Sequence, residues 1–411
     1  MMESEIGRIP AHVKDDLASS LQPKERILSL AFLEASAFIC TNLSYRAAAD
    51  TLNRFLHRTG ENTVKLKTLS DSMQRIGGEI SKKLISVTEK TLAAYGFNRE
   101  TGLPMEGVTL SENITKPITA ERTIQDLADR QNTINTINDS REEVIPFSSD
   151  EVQIESSLDS CVYISVDDIG VKHQKESRAE GTGRKYKFVE NTVVHIQYRE
   201  SVYVLTAIGM RNAFKSVLAF LLTNNLLSKN LIFLTDGAKD IKSHIETVFS
   251  FHSYSIILDW YHLKKKCMEL LSMSIRGKDK RNQVLEKLLK FLWAGNVSGA
   301  ESCLVSLPGS DIKNQKWLEE LSAYLDRKRD YITCYILRDK LGLRNSSNPV
   351  EKANDLLVAK RQKHNGMAWS PQGSGALAAI EMVYHNNQAG IWFEKKELSL
   401  FTPIFSYEQV A

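Results

Sequence analysis

Residues 161–168 read Cys161-Val-Tyr-Ile-Ser-Val-Asp-Asp168, and a later segment of the same kind reads Phe233-Leu-Thr-Asp-Gly237. Each is a short apolar, β-branched run that stops on a carboxylate, the pattern of a buried strand ending in a turn. Three further runs flank them. Phe188–Tyr198 and Ser201–Gly209 lie close enough together to form a hairpin, and Ser255–Leu258 runs into Asp259. Helical spacing fills the gaps at Phe214–Leu227 and Ala238–Phe249. The order β-β-β-α-β-α-β predicts an α/β fold: three antiparallel strands, then alternating units, in one mixed sheet with helices on both faces.

Outward from this centre the chain is helical. About eighty residues after Asp259 show helical spacing, punctuated by Gly295, Gly299, Pro308 and Gly309. A turn from Gly342 to Pro349 leads into a helix from Val350 to about His364. A loop containing Trp369 and Pro371, a helix at Ala376–Tyr384 and a surface tail follow. On the other side, helices are expected at 23–40, at 45–57 behind Ser44 as N-cap, and at about 66–84. Gly77-Gly78 weakens the continuity of the last. Two short helices, a turn and a third helix with a polar front are helix-turn-helix arithmetic, with Lys67, Thr68, Gln74 and Arg75 as candidate DNA contacts. A plain helical bundle gives the same pattern.

The chain has 411 residues and a formal charge of +3. Residues 101–160 hold twelve acidic and four basic side chains, a net −8, so the remainder carries +11. That stretch reads as an acidic linker with a short helix at 120–137. Residues 261–290 hold nine basic and three acidic side chains, a net +6 that suits phosphate contact, including Lys264, Lys265 and Lys266. Five scattered cysteines argue for reduced, buried thiols rather than a disulfide framework or a zinc ribbon. Met1–Leu30 has no apolar core of the signal-peptide type, and no run approaches the ~20 residues of a membrane span, so a cytoplasmic protein is expected. Gly181-Thr-Gly183 lacks the strand–loop–helix setting of a phosphate loop and reads as a strand connection.

Three acids stand out by position. Asp167 and Asp236 end strands, and Glu351 sits in the first turn of the helix after Pro349. Strand-end carboxylates point into the crevice beyond the sheet. Three converging carboxylates need neutralising, and hard divalent cations with oxygen ligands do this. Turn-forming aspartates give the same placement without any metal. Asp168 competes with Asp167. Period-2 alternation groups Asp168 with Val162, Ile164 and Val166, so Asp167 is preferred. Asp240 rivals Asp236 but lies a helical turn further on, and Asp355 shares a helix face with Glu351. Asp259 and His262 form a D-x-x-H element, with the imidazole placed to hydrogen-bond a metal ligand or a phosphate.

Ile164-Ser-Val-Asp-Asp168, Phe233-Leu-Thr-Asp-Gly237, Leu258-Asp-Trp-Tyr-His262 and Asn348-Pro-Val-Glu-Lys-Ala353, with Arg361-Gln-Lys-His-Asn-Gly-Met-Ala-Trp369, together resemble bacterial insertion-sequence transposases of the DDE class. The resemblance covers about residues 160–384. It implies an RNase H-like catalytic domain interrupted by an all-α insertion, behind a helix-turn-helix-like N-terminal domain. Divided accordingly, the chain is a helical DNA-binding domain (1–100), an acidic linker (101–158), the first part of the catalytic domain (159–260), the insertion (261–345), the second part with Glu351 (346–390) and a tail (391–411). The resemblance implies Asp167, Asp236 and Glu351 as the triad holding two Mg²⁺ ions, with Mn²⁺ an alternative. Asp259, His262 and Asp168 would support it. Arg361, Lys363 and His364, beyond Glu351 on the same helix, would grip a DNA end, and Trp369 would either stack on a displaced base or belong to the core. The partners implied are terminal inverted repeats and target DNA, with a homodimer or larger assembly on DNA and no membrane. A transposase-derived DNA-binding protein without catalysis, or a nuclease that cuts without joining, would share these motifs.

Overall fold

A computed structural model describes residues 2–4, 7–9, 29–60, 63–111, 114, 161–174, 188–207, 209–340, 342–363 and 367–402. Most of the expected linker, its helix at 120–137, the Gly181–Gly183 connection and His364 lie outside the described residues.

Five strands form one sheet: β1 (Cys161–Lys172), β2 (Phe188–Tyr198), β3 (Ser201–Ala207), β4 (Asn230–Thr235) and β5 (Tyr254–Leu258). Their order is β3-β2-β1-β4-β5. β1, β2 and β3 are antiparallel neighbours, whereas β1, β4 and β5 run parallel. β1 outruns expectation. It pairs with β2 as far as Lys172↔Phe188, but its parallel pairing with β4 stops at Ser165↔Leu234. Asp167 is therefore not a strand terminus; it sits just past the point where the sheet loses its parallel neighbour.

Both faces of the sheet are buried, and the period of two assigns each residue to a side. Val162, Ile164, Val166, Leu231 and Phe233 join one apolar core. Cys161, Tyr163, Ile232, Leu234 and Ile257 join the other. The first core is closed by helices α4 (Met210–Thr223) and α5 (Lys239–Val248) and by the N-terminal helices α1 (Leu30–Asn42), α2 (Tyr45–Phe55) and α3 (Leu66–Ala94). The N-terminal helices thus share a core with the sheet.

The second core is made with an insertion of five helices: α6 (Trp260–Ser274), α7 (Lys278–Trp293), α8 (Val297–Val305), α9 (Gln315–Lys328) and α10 (Tyr335–Lys340). The chain then returns to the first core as α11 (Asn348–Asn354), a π turn at Asp355–Ala359 and a last α turn at Lys360–Gln362. The wider turn lets three consecutive side chains, Leu357, Val358 and Ala359, all be buried. α12 (Pro371–His385) and α13 (Ala389–Lys395) complete the fold.

Two expectations are corrected. α3 continues through Gly77-Gly78 for 29 residues, and a Cβ at Gly77 would collide with the backbone of Ala376. That glycine permits the close approach of α3 and α12 and does not break the helix. Residues 391–402 are no surface tail: Trp392, Phe393 and Leu400 are buried in the first core. All five cysteines are free and buried. Among the described residues no helix is long and apolar enough to cross a membrane.

Candidate active site

The site lies at the end of the parallel half of the sheet, under the insertion. β1 carries Asp167 there, and Asp236 follows β4 directly. Gly237, at φ +87°, turns the chain away from Asp236; a Cβ there would sit 2.9 Å from Leu258 Cδ1 and 3.3 Å from Lys328 Cε. The Asp236 carboxylate accepts the Ala238 N–H at 2.8 Å ahead of α5. Asp236 is exposed and Asp167 half-buried.

Asp167 accepts two hydrogen bonds, from the Asp168 N–H at 2.9 Å and from Asn354 Nδ2 at 2.6 Å. Burial raises its carboxyl above the ordinary carboxylate range, and the neighbouring Asp236 and Asp168 charges add to the rise. The Asp168 N–H and His262 pull in the other direction. Asp168 turns elsewhere, accepting the Thr192 hydroxyl at 2.6 Å across the β1–β2 pairing.

Glu351 arrives from the first turn of α11, where Pro349 suits the start of the helix. His262 Nε2 donates to Glu351 Oε1 at 3.1 Å. His262 is itself held by the N-terminus of α6, since Asp259 caps that helix by accepting the His262 N–H at 2.8 Å. Asp259 is wholly buried, and its second oxygen accepts both the backbone N–H and the hydroxyl of Ser347. One carboxylate thus ties the entrance of the insertion to its exit.

Two residues were not found by sequence reading. Asn354 holds Asp167 and leaves its own Oδ1 buried without a partner. A helical i+3 spacing from Glu351 was the available signal, because it places both on one face of α11. Lys328, from the end of α9, donates to the Gly237 carbonyl at 2.6 Å and lies within the field of Asp236. Burial lowers its affinity for a proton, and nearby Lys242 lowers it further. Nothing local in sequence links Lys328 to Asp236.

The other candidates are dispersed. Asp240 and Asp355 are exposed on helices. Lys264 and Lys265 are exposed on α6, and Lys266 pairs with Glu269 at 3.9 Å. Lys67 and Arg75 are exposed and Thr68 and Gln74 half-buried on α3, with Arg75 paired to Glu79 at 3.3 Å. Lys363 is exposed. Arg361 and Trp369 are not on an open groove: both are buried, the guanidinium 5.0 Å from the Trp369 ring centroid. Trp369 Nε1 donates to the Gln362 carbonyl, and its backbone bonds to Lys172 and Gln174. Its ring is thus a wall of the fold and not a free stacking platform.

The donor set at this site is hard oxygen, which suits Mg²⁺ or Mn²⁺. The unfavourable meeting of Asp167 and Asp236 is what a divalent cation would relieve. Among the described residues, however, no three His, Cys, Asp or Glu side chains stand close enough together to hold a metal as they are. The site's groups fall into two pairs, the carboxylates of Asp167 and Asp236 and the imidazole of His262 with the Glu351 carboxylate.

No family model matches the chain, and no curated protein matches it. Among solved structures, the Drosophila P element transposase strand transfer complex is 10% identical over 94% of this chain and 88% of that one, with a TM-score of 0.26. A Mos1 transposase paired-end complex with the left transposon end is 10% identical over 82% and 100%, at a TM-score of 0.17. A pre-cleavage Mos1 transpososome is 9% identical over 83% and 100%, at 0.16. Likenesses this distant carry no argument about this chain.

Proposed function

We propose that the chain is a DNA transposase of the DDE class with an RNase H-like catalytic domain. It would cleave the ends of its own insertion sequence and transfer them to target DNA. The observation that carries this reading is the convergence of Asp167, Asp236 and the His262–Glu351 pair from four separate elements onto one end of a β3-β2-β1-β4-β5 sheet. The motif order in the sequence supports it.

In this reading Asp167, Asp236 and Glu351 would hold divalent cations, Mg²⁺ or Mn²⁺, whose chemistry would be activation of a water or a 3′-hydroxyl and stabilisation of the leaving oxygen of a phosphodiester. Asn354 orients Asp167 through its 2.6 Å bond. His262 holds the Glu351 carboxylate through its 3.1 Å bond. Lys328 sets a cation beside Asp236, where a DNA phosphate would approach. The exposed Lys264 and Lys265 add phosphate contacts from the insertion, and Lys67, Thr68, Gln74 and Arg75 read the terminal inverted repeat. Synapsis of two ends requires a dimer or larger assembly on DNA.

The test is a strand-transfer assay on end-containing DNA with Asp236→Asn and Glu351→Gln. Both variants should bind DNA and lose cleavage; cleavage retained in both overturns the assignment. A second reading, a transposase-derived DNA-binding protein without catalysis, is favoured by the absence of a tight three-acid cluster among the described residues. Wild-type protein that binds ends but does not cut in Mg²⁺ or Mn²⁺ would establish it. Cut products that are never joined would instead identify a nuclease.

A further inference from the structure

Glu351 and Gln362 belong to one continuous helical run, yet the run changes its hydrogen bonding between them. The Asp355 N–H reaches the Glu351 carbonyl, four residues back, whereas the Lys360 N–H reaches the Asp355 carbonyl, five residues back. The Lys363 N–H then returns to the four-residue pattern, bonding the Ala359 carbonyl at 2.9 Å. The π turn at Asp355–Ala359 therefore holds one residue more than an α turn. Such a surplus is uncommon and needs a reason in its surroundings.

The reason lies in two fixed ends. Before the turn, Asn354 donates to Asp167 at 2.6 Å and Glu351 accepts from His262. After the turn, Gln362 donates from Nε2 to the Ser374 carbonyl at 3.1 Å and accepts the Ser374 hydroxyl at 2.6 Å. Its backbone carbonyl accepts Trp369 Nε1 at 3.0 Å. Arg361 Nε donates to the Cys40 carbonyl at 2.8 Å and Lys360 Nζ to Asn42 Oδ1 at 3.2 Å, both on α1. One end of the run thus faces the acids, and the other is bolted to α1 and α12. In a regular α-helix the eight residues from Asn354 to Gln362 would make two turns and about 80° more. The two side chains would then point to different faces, and one set of bonds would fail. With the wide turn both are buried, at 5% and 0% exposure, and Lys352, Asp355, Leu356, Lys360 and Lys363 are left outside.

We propose that the π turn is a positioning device for the acid site. Its surplus residue sets the rotation of the Glu351–Asn354 turn against an anchor on the N-terminal helices and α12, so that the seat of Glu351 depends on a contact made eight residues beyond Asn354. No side chain of the turn needs to touch substrate. The Glu351 end hangs on the Asn354 and His262 bonds, whereas the Gln362 end is buried among several, so a conflict of phase is relieved at Glu351. The inference rests on the reading of Glu351 as a site residue and adds what holds it in place.

The experiment compares wild type, Leu356→Ala and a deletion of Leu356 as full chains, free of metal and DNA, by hydrogen exchange read with mass spectrometry. Leu356 is exposed, so its loss opens no core. The deletion should speed amide exchange across Glu351–Asn354 by about tenfold or more and leave Arg361–Gln362 protected. Leu356→Ala keeps the number of residues and should match wild type. Gln362→Ala added to the deletion releases the anchor and should restore protection at Glu351–Asn354. Unchanged exchange there in the deletion, loss at Arg361–Gln362 instead, loss in Leu356→Ala, or no restoration in the combined variant overturns the proposal. If the deletion alone does not fold, the combined variant decides: a cooperative melt regained supports the proposal, and none overturns it. Where wild type cuts DNA ends, the deletion should bind DNA as before and cut about a hundredfold more slowly, the scale of misplacing a reacting group. Equal cutting overturns the positioning role. Wild type that cuts nothing removes the transposase reading and leaves the exchange result standing.

Discussion

Asp236 and Asp259 follow neighbouring parallel strands at the same level of the sheet, one after β4 and the other after β5. Their surroundings are opposite. Asp259 is 0% exposed, and its oxygens accept three hydrogen bonds from His262 and Ser347. Asp236 is exposed, and its charge is felt by Asp167 and Lys328. A carboxylate whose lone pairs are spent on backbone and hydroxyl donors is a structural brace. One turned toward another carboxylate carries an electrostatic cost that only a ligand or a reaction makes useful. The pair shows how position in the fold and chemical availability separate.

The largest effect should come from breaking this contrast on the Asp236 side. Asp236→Asn should lower end cleavage by on the order of 10²–10³-fold, the scale of losing several kcal/mol of metal-assisted stabilisation, with the unfolding midpoint unchanged. Residual cleavage near wild type would make Asp236 an ordinary turn residue. Asp259→Ala should do the opposite. It strands the His262 and Ser347 donors, so denaturant unfolding should report a loss of about 3 kcal/mol. Asp259→Asn keeps an acceptor and should lose less. A fully stable Asp259→Ala protein would show that the insertion needs no tie between its ends.

The strands were legible because each is a compact β-branched run, and a period of two survives in any window of that length. Asp236 and Asp259, directly after their strands, were legible for the same reason, whereas Asp167 lies inside a strand that runs on to Lys172. The partners were not: Ser347 meets Asp259 from 88 positions away and Asn354 meets Asp167 from 187. Asp259 therefore read as one half of a D-x-x-H element, and its bond to Ser347 was invisible. Gly77 read as a weak point, because helix propensity counts backbone entropy and cannot see Ala376 across the interface. Trp392 and Phe393 stand among polar neighbours too short to show a period, so a buried helix read as a tail. Arg361 read as an exposed grip because charge does not reveal burial, whereas Trp369 left stacking and core open and the fold buries it.

Glu381, on α12, sharpens the comparison, since it is a carboxyl that burial has already made reluctant to ionise. Its pKa is pushed up to about 7, first by burial, against the pull of Lys360, Arg361 and a Thr41 hydrogen bond. A carboxyl whose folded pKa exceeds its unfolded value favours the fold while protonated. That contribution is complete below about pH 4.5 and is lost as pH rises to about 7. Glu381→Gln should remove the slope. At pH 8 the variant should be more stable than wild type by on the order of 2–3 kcal/mol, with the gap closing by pH 4.5. Equal pH profiles for the two proteins in chemical unfolding would show that Glu381 ionises freely in the fold.

The smallest effect tests whether Asn354 belongs with the spent donors or with the reacting acids. It gives one N–H to Asp167 and keeps a buried carbonyl oxygen without a partner, so it is half brace and half available. Asn354→Ala removes the donor that holds Asp167 and leaves a small void beside it. If the bond serves only the fold, unfolding should reveal the whole loss and cleavage should keep its metal dependence. If the bond positions a metal ligand, the metal concentration for half-maximal cleavage should rise about tenfold, the usual cost of removing a partner of a ligand. Saturating metal should then restore most of the rate, because the ligand itself is intact. We expect the second outcome, since the Asp167–Asn354 bond joins the strand that carries one acid to the helix that carries Glu351. Loosening it would free the two acids to drift apart without removing either.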